Sequence, residues 1–247
     1  MMKPLAAVVA LTLTCCALAS CGKADPGSSL TVFAAASLKK SFEEIGKDFE
    51  EETGTEVTLN FAGSSGLVEQ MKSGAPAHVF ASADEPTMET ASDAGLVKEP
   101  QIFATNTLTI AVPRGNPANI TGLEALTRPG VKVAVCAPAV PCGNATKQVM
   151  DRAGVSLKPA TAESKVTAVL TKVESGQVDA GLVYVTDARA SDKVEAVDFP
   201  QATEVVNRYP IAVTSQGKKT ASAAQFVEFV LSDRAQQVLH SNGFGQP

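Results

Sequence analysis

Hydrophobic and polar positions change period repeatedly along this chain. Leu30, Val32 and Ala34 alternate as in a strand, and from Leu38 the apolar residues fall at Leu38, Phe42, Ile45 and Phe49, one face of a helix. Ala34, Ala35, Ala36 and Ser37 form the seam, with Ser37 where an N-cap is expected. Gly54 stands where a glycine closes a helix. The same switch recurs: an alternating run at 56–62 leads into a short helix in GSSGLVEQMKSG, and a strand at 78–84 leads into a helix that stops at Gly95. Strands four and five are expected at 108–113 and 131–138, followed by a helix in NATKQVMDRAG that ends at Gly154. Val166, Val169, Leu170 and Val173 mark another helical face. Further strands are expected at 179–188, in VEAVDF and at 208–214, and two helices around AAQFVEFVLS and RAQQVLHSNG close the chain.

Strands that alternate with helices predict an α/β fold with largely parallel sheets. The first three strands make one sheet and those from Val131 onward a second, with crossings near 105–108 and 209–214. This divides the chain into lobe I, residues 30–106 and 214–247, and lobe II, residues 107–213. In open α/β sheets ligands bind beyond the carboxyl ends of the strands, so two lobes can face each other across a cleft.

The amino-terminal segment changes this picture only at its edge. Lys3, the apolar run at 5–18 and the sequence LASC read as a secretory signal over residues 1–20, too short and too rich in small residues for a membrane span. Residues 21–29 suit a flexible tether. LASC followed by Gly22 resembles the lipobox of bacterial lipoproteins, which implies lipid on Cys21 and a place at the extracytoplasmic face of the cell membrane. The net charge of −5 comes without a basic patch or an aromatic platform, so nucleic acid is not an expected partner. Of five cysteines, Cys15 and Cys16 leave with the signal and Cys21 takes lipid. Cys136 and Cys142 remain as an even pair, for which a disulfide is favoured over a metal site outside the membrane. His78 and His240 lie far from both in sequence, which weakens zinc and Cys–His nucleophile readings.

Several strand-to-helix seams carry the candidate chemistry. They are Ser37 in the first, Ser64 and Ser65 in FAGSSGL, the Pro-rich loop CAPAVPCGNA, and a helix start around 163–166. Helix N-termini present free N–H groups and act as about half a positive charge each, so four together offset about two negative charges. Glycines let the backbone approach a ligand closely. Such a cleft suits a dianionic oxyanion held by hydrogen bonds and selected by size, with no arginine clamp and no direct protein–metal ligand.

TVFAAASL, FAGSSGL, GAPAHVFASAD, PCG before a helix, GLVYVTDA and YPIAVT occur in order from Leu30 to Phe244. Together they resemble the molybdate-binding proteins that serve ABC importers, with His78 where an Asp is common. The resemblance implies a type II periplasmic-binding-protein fold, molybdate or tungstate as ligand, an ABC permease as partner, no cofactor, no catalysis and a monomer. It implies Ser37 and Ser64 as hydroxyl and backbone donors, Cys142 (commonly alanine) and Val166 as backbone N–H donors, and Tyr184 as a phenol donor. Ser65 stands as an alternative to Ser64, Tyr184 as a core tyrosine, and Lys165 as a solvated neighbour of Val166. The rival functions are a receptor for another oxyanion such as sulfate or for a small carboxylate, and a secreted hydrolase using Cys142 or a serine.

Overall fold

Strand β1 (Ser29–Ala35) and strand β2 (Glu56–Ala62) pair in parallel, from Ser29 opposite Glu56 to Ala35 opposite Ala62. This computed structural model describes residues 29–247; the signal segment, Cys21 and the tether up to residue 28 lie outside the described residues. Ser29, expected to end the tether, is already a strand residue. Helix α1 (Lys39–Thr53) lies between the two strands, and its expected apolar face, Phe42, Ile45 and Phe49, is buried. It ends on Gly54 in the left-handed region, φ 72°, where a residue with a side chain is strained.

The chain continues through α2 (Ser64–Lys72), β3 (Val79–Ala81), α3 (Glu85–Asp93) and β4 (Gln101–Asn106). It then builds a second layer from β5 (Leu108–Pro113), β6 (Val133–Cys136), α4 (Pro141–Ala153), β7 (Thr161–Glu163) and α5 (Val166–Glu174). Strand β8 (Ala180–Tyr184), α6 (Val185–Arg189) and β9 (Val194–Val197) complete that layer. Strand β10 (Asn207–Val213), α7 (Ala221–Leu231) and α8 (Asp233–Ser241) return to the first. The sheet orders are β2-β1-β3-β10-β4 and β7-β6-β8-β5-β9.

Three sequence expectations are corrected here. The sheets are mixed rather than largely parallel, because β10 runs antiparallel to β3 and β4, and β5 antiparallel to β8 and β9. The reason is topological. Strands β1, β3, β6 and β8 end at the cleft, whereas β5 and β10 enter their sheets from the cleft after a crossing and must run away from it. Strand β10 also belongs to the first sheet, so the return crossing lies at 205–207 and not near 209–214, and lobe II ends before Asn207. Residues 179–188 are not one strand: β8 stops at Tyr184 and α6 begins at Val185. Strands β4 and β7 escaped the sequence pattern, being short and weakly alternating.

The terminal helices fix lobe I by aromatic packing. Phe226 of α7 meets Phe42 and Phe49 of α1 edge-on, at centroid distances of 6.1 and 5.2 Å. Arg234 of α8 holds Asp48 of α1 with two hydrogen bonds, 2.8 and 3.2 Å.

Candidate oxyanion site

Between the two sheets, where the strand ends face one another, a small cavity is lined by Ser37, Ser64, Cys142, Val166 and Tyr184, with Lys165 beside them. Its cavity volume is about 10 Å³. That is below the roughly 300–1,000 Å³ typical of organic-ligand pockets, so the site suits a small ion. All five residues implied by the resemblance therefore meet at one point, although they lie up to about 150 residues apart in the chain.

Helices α2, α4 and α5 begin at this cavity, and none has a side-chain cap hydrogen bond. Their N-cap residues are Gly63, Val140 and Lys165, none of which carries a side-chain acceptor. An uncapped helix start leaves its first N–H groups without partners, so those of Ser64, Cys142 and Val166 are available to a ligand. Helix α3 makes the contrast. Its N-cap Asp84 accepts from Thr87 N at 3.1 Å and closes that terminus with its own side chain. Ser37, in turn, is not an N-cap. It lies within a 3₁₀ turn, Ala36–Leu38, and α1 starts at Lys39, so its hydroxyl is turned to Tyr209 Oη at 3.0 Å instead of to a helix N–H.

The three hydroxyls differ in how they are held. Ser64 Oγ accepts from Ala83 N at 3.0 Å. Tyr184 Oη accepts from Asn207 Nδ2 at 3.1 Å, and the same amide nitrogen donates to Ala83 O at 3.0 Å. Burial, with Tyr209 and the carboxylates Asp84 and Asp187 nearby, pushes the Tyr184 phenol well above its ordinary value of 10. Tyr184 thus stays protonated and keeps a proton to donate. Burial likewise raises Tyr209. Asp187 lies behind the site, 5 % exposed, and its Oδ2 accepts from Tyr184 N at 3.1 Å. Burial raises its carboxyl to about 7 in spite of that bond, which acts in the opposite direction. Lys165 makes no ion pair among the described residues.

The lobes touch across the cleft. Ser65 Oγ donates to Ala139 O at 2.7 Å, so of the two adjacent serines Ser64 lines the cavity and Ser65 bridges the lobes. A Cβ on Gly63 would sit 2.2 Å from the carbonyl oxygen of Ser164, so only glycine permits this approach. Cys136 and Cys142 are joined by a disulfide with Cα atoms 5.6 Å apart. The bridge ties the end of β6 to the start of α4 and spans the loop that carries Ala139 and Val140. His78 Nδ1 accepts from Thr31 N at 2.9 Å, and neither His78 nor His240 lines the cavity.

Sequence reasoning missed Gly63, Ala83, Asn106, Asn207 and Tyr209. The first was readable as a glycine beside the seam. The asparagines and Tyr209 carry no local motif and join the site only through tertiary pairing, Asn106 standing opposite Asn207 in the β4–β10 register.

A family model described as bacterial extracellular solute-binding protein matches residues 30–245. The chain is 45 % identical over 243 residues to the molybdate-binding protein ModA of Mycobacterium tuberculosis strain H37Rv, with 93 % of each chain covered. Among solved structures it is similar to the periplasmic molybdate-binding protein of Azotobacter vinelandii, with a TM-score of 0.77 and 22 % identity over 88 % of this chain and 99 % of that one. It is also similar to the sulfate-binding protein SubI of Mycobacterium tuberculosis, with a TM-score of 0.73 and 22 % identity over 88 % and 86 %. These two likenesses show the fold, a periplasmic-binding-protein fold of two mixed α/β sheets; because it houses both a molybdate and a sulfate binder, it does not name the anion.

Proposed function

The chain belongs to the bacterial extracellular solute-binding protein family, whose work is binding and not catalysis, and from that premise we propose that it captures molybdate, and tungstate with it, for delivery to an ABC importer. The observation that carries the reading is the convergence of three uncapped helix starts and three hydroxyls on one small cavity. Half a positive charge per helix gives about one and a half, and Lys165 adds a nearby cation, enough to offset a dianion. The printed names of the relatives agree with molybdate.

In this reading Ser37 and Ser64 donate hydroxyl and backbone hydrogens from lobe I. Cys142 and Val166 donate backbone N–H groups from lobe II, and Tyr184 its phenol. An N–H contact survives the replacement of a small residue by Cys142, since the side chain takes no part in it. The lobes hinge at 106–108 and 205–207, close on the anion, and present the closed form to the permease. The LASC sequence supports lipid on Cys21 as the anchor, and the mass of the mature amino-terminal peptide tests it.

Thermal unfolding of the ligand-stripped protein tests the binding function. A ligand at about a thousand times its Kd stabilises the folded state by about 4 kcal/mol. Millimolar molybdate and tungstate are expected to raise Tm by several degrees, and sulfate to leave it unchanged. A rise with sulfate equal to that with molybdate would assign the site to oxyanions in general.

A further inference from the structure

The two strands that cross between the lobes each meet the cleft in a buried asparagine. Asn106 closes β4 and Asn207 opens β10, 4 % and 7 % exposed, and they pair across the strands. Their amide orientations are fixed by backbone groups. Ala83 O can only accept, so the atom 3.0 Å from it is Asn207 Nδ2, and the second hydrogen of that nitrogen goes to Tyr184 Oη. Thr107 N can only donate, so its partner at 3.0 Å is Asn106 Oδ1. Asn106 Nδ2 is then turned to Thr186 Oγ1 at 2.8 Å and, at the longer distance of 3.5 Å, to Tyr209 Oη.

From this geometry we infer that Asn207 and Asn106 are positioning residues that lock the hydroxyls of the site as donors. The inference rests on the oxyanion reading above and adds to it what sets the direction of each O–H bond. Asn207 fills the acceptor side of Tyr184, so the phenol proton points to the ligand. Asn106 Nδ2 approaches Tyr209 Oη at 3.5 Å, which favours Tyr209 as the donor to Ser37 Oγ and leaves the Ser37 proton for the cavity. Ser64 is locked in the same sense by Ala83 N. Tyr184 and Ser64 then each have one acceptor position filled and a proton left to give to the ligand. An anion without protons, such as molybdate near neutral pH, accepts from each of them; hydrogen phosphate, which keeps one, brings a donor of its own to a site that faces it with donors.

A double-mutant cycle on the full mature chain tests this, with molybdate affinity measured for the wild type, Asn207→Leu, Tyr184→Phe and the double variant. One hydrogen bond corresponds to roughly three- to tenfold in affinity. Asn207→Leu is expected to weaken molybdate binding about tenfold when Tyr184 is present, and less than about twofold in the Tyr184→Phe background, where there is no hydroxyl to orient. Competition by hydrogen phosphate supplies a readout that a merely structural role would not move: the preference for molybdate over hydrogen phosphate narrows in Asn207→Leu. Equal losses in both backgrounds with an unchanged preference would overturn the inference while leaving the binding function standing. A wild-type protein that binds no tetrahedral anion would overturn the function itself. Should the leucine variant fail to fold, Asn207→Ala, smaller and likewise without a donor, enters the same cycle with the same expectations.

Discussion

Tyr184 and Asp187 sit three residues apart at the start of α6 and have opposite duties, the phenol facing the cavity and the carboxyl holding the backbone behind it. Replacing Tyr184 with phenylalanine removes one donor and leaves the ring in place. Molybdate affinity is expected to fall about tenfold with Tm in the absence of ligand nearly unchanged, as read by titration and thermal melting. Asp187 predicts a pH dependence. Its folded pKa of about 7 lies above the ordinary 3.8, so between these values the folded state binds more protons than the unfolded one. The associated stability is full below about pH 4 and is lost as pH rises through about 7, at most about 1.4 kcal/mol per pH unit. Asp187→Asn keeps an acceptor for Tyr184 N without the titration. Its Tm relative to wild type is therefore expected to rise from about pH 5 to about pH 8; a constant difference would mean that Asp187 does not titrate in this range.

Among the elements, the start of α2 is the one most legible in the sequence. Alternation at 56–62, then glycine and two serines, placed Ser64 at a helix start beside the cleft, and the structure puts it there. Ser37 was legible as a seam residue but not as a partner of Tyr209, because the 3₁₀ turn before α1 has no period of its own. The start of α6 was hidden by the apolar run of β8, whose alternation carries past Tyr184 into Val185. The pattern at 208–214 marks a strand but not its sheet, since pairing partners are not written in local pattern. The α2 start also yields a prediction. Gly63 has φ −61° and ψ 134°, which alanine adopts freely, but a Cβ there collides with Ser164 O across the cleft. Gly63→Ala is expected to leave the melting of the ligand-free protein almost unchanged and to weaken molybdate binding roughly tenfold to a hundredfold, the penalty of about 1–3 kcal/mol falling on the closed form alone. The disulfide acts on α4 in the same region. It spans a sequence separation of 6, for which chain entropy gives about 2 kcal/mol. Replacing both cysteines with serine is expected to lower Tm by several degrees and to weaken binding less than Tyr184→Phe does, because a serine in place of Cys142 keeps the backbone N–H.

For the molecule as a whole, two mixed sheets face each other by their strand ends, and the crossings at 106–108 and 205–207 carry the chain between them. The fold class was legible because repeated strand-to-helix switching is a property of pattern. The anion was legible only through the family resemblance, which implied molybdate or tungstate, since the fold alone houses a sulfate binder and a molybdate binder. What separates them is the spacing of fixed donors, and that spacing is best read by titration. Isothermal titration of the ligand-stripped chain beginning after Cys21, with molybdate, tungstate and sulfate in turn, measures it directly. Tight one-to-one binding of molybdate and tungstate, with no heat from sulfate, is the expected result. Silence with all three, or sulfate bound as tightly as molybdate, would contradict it.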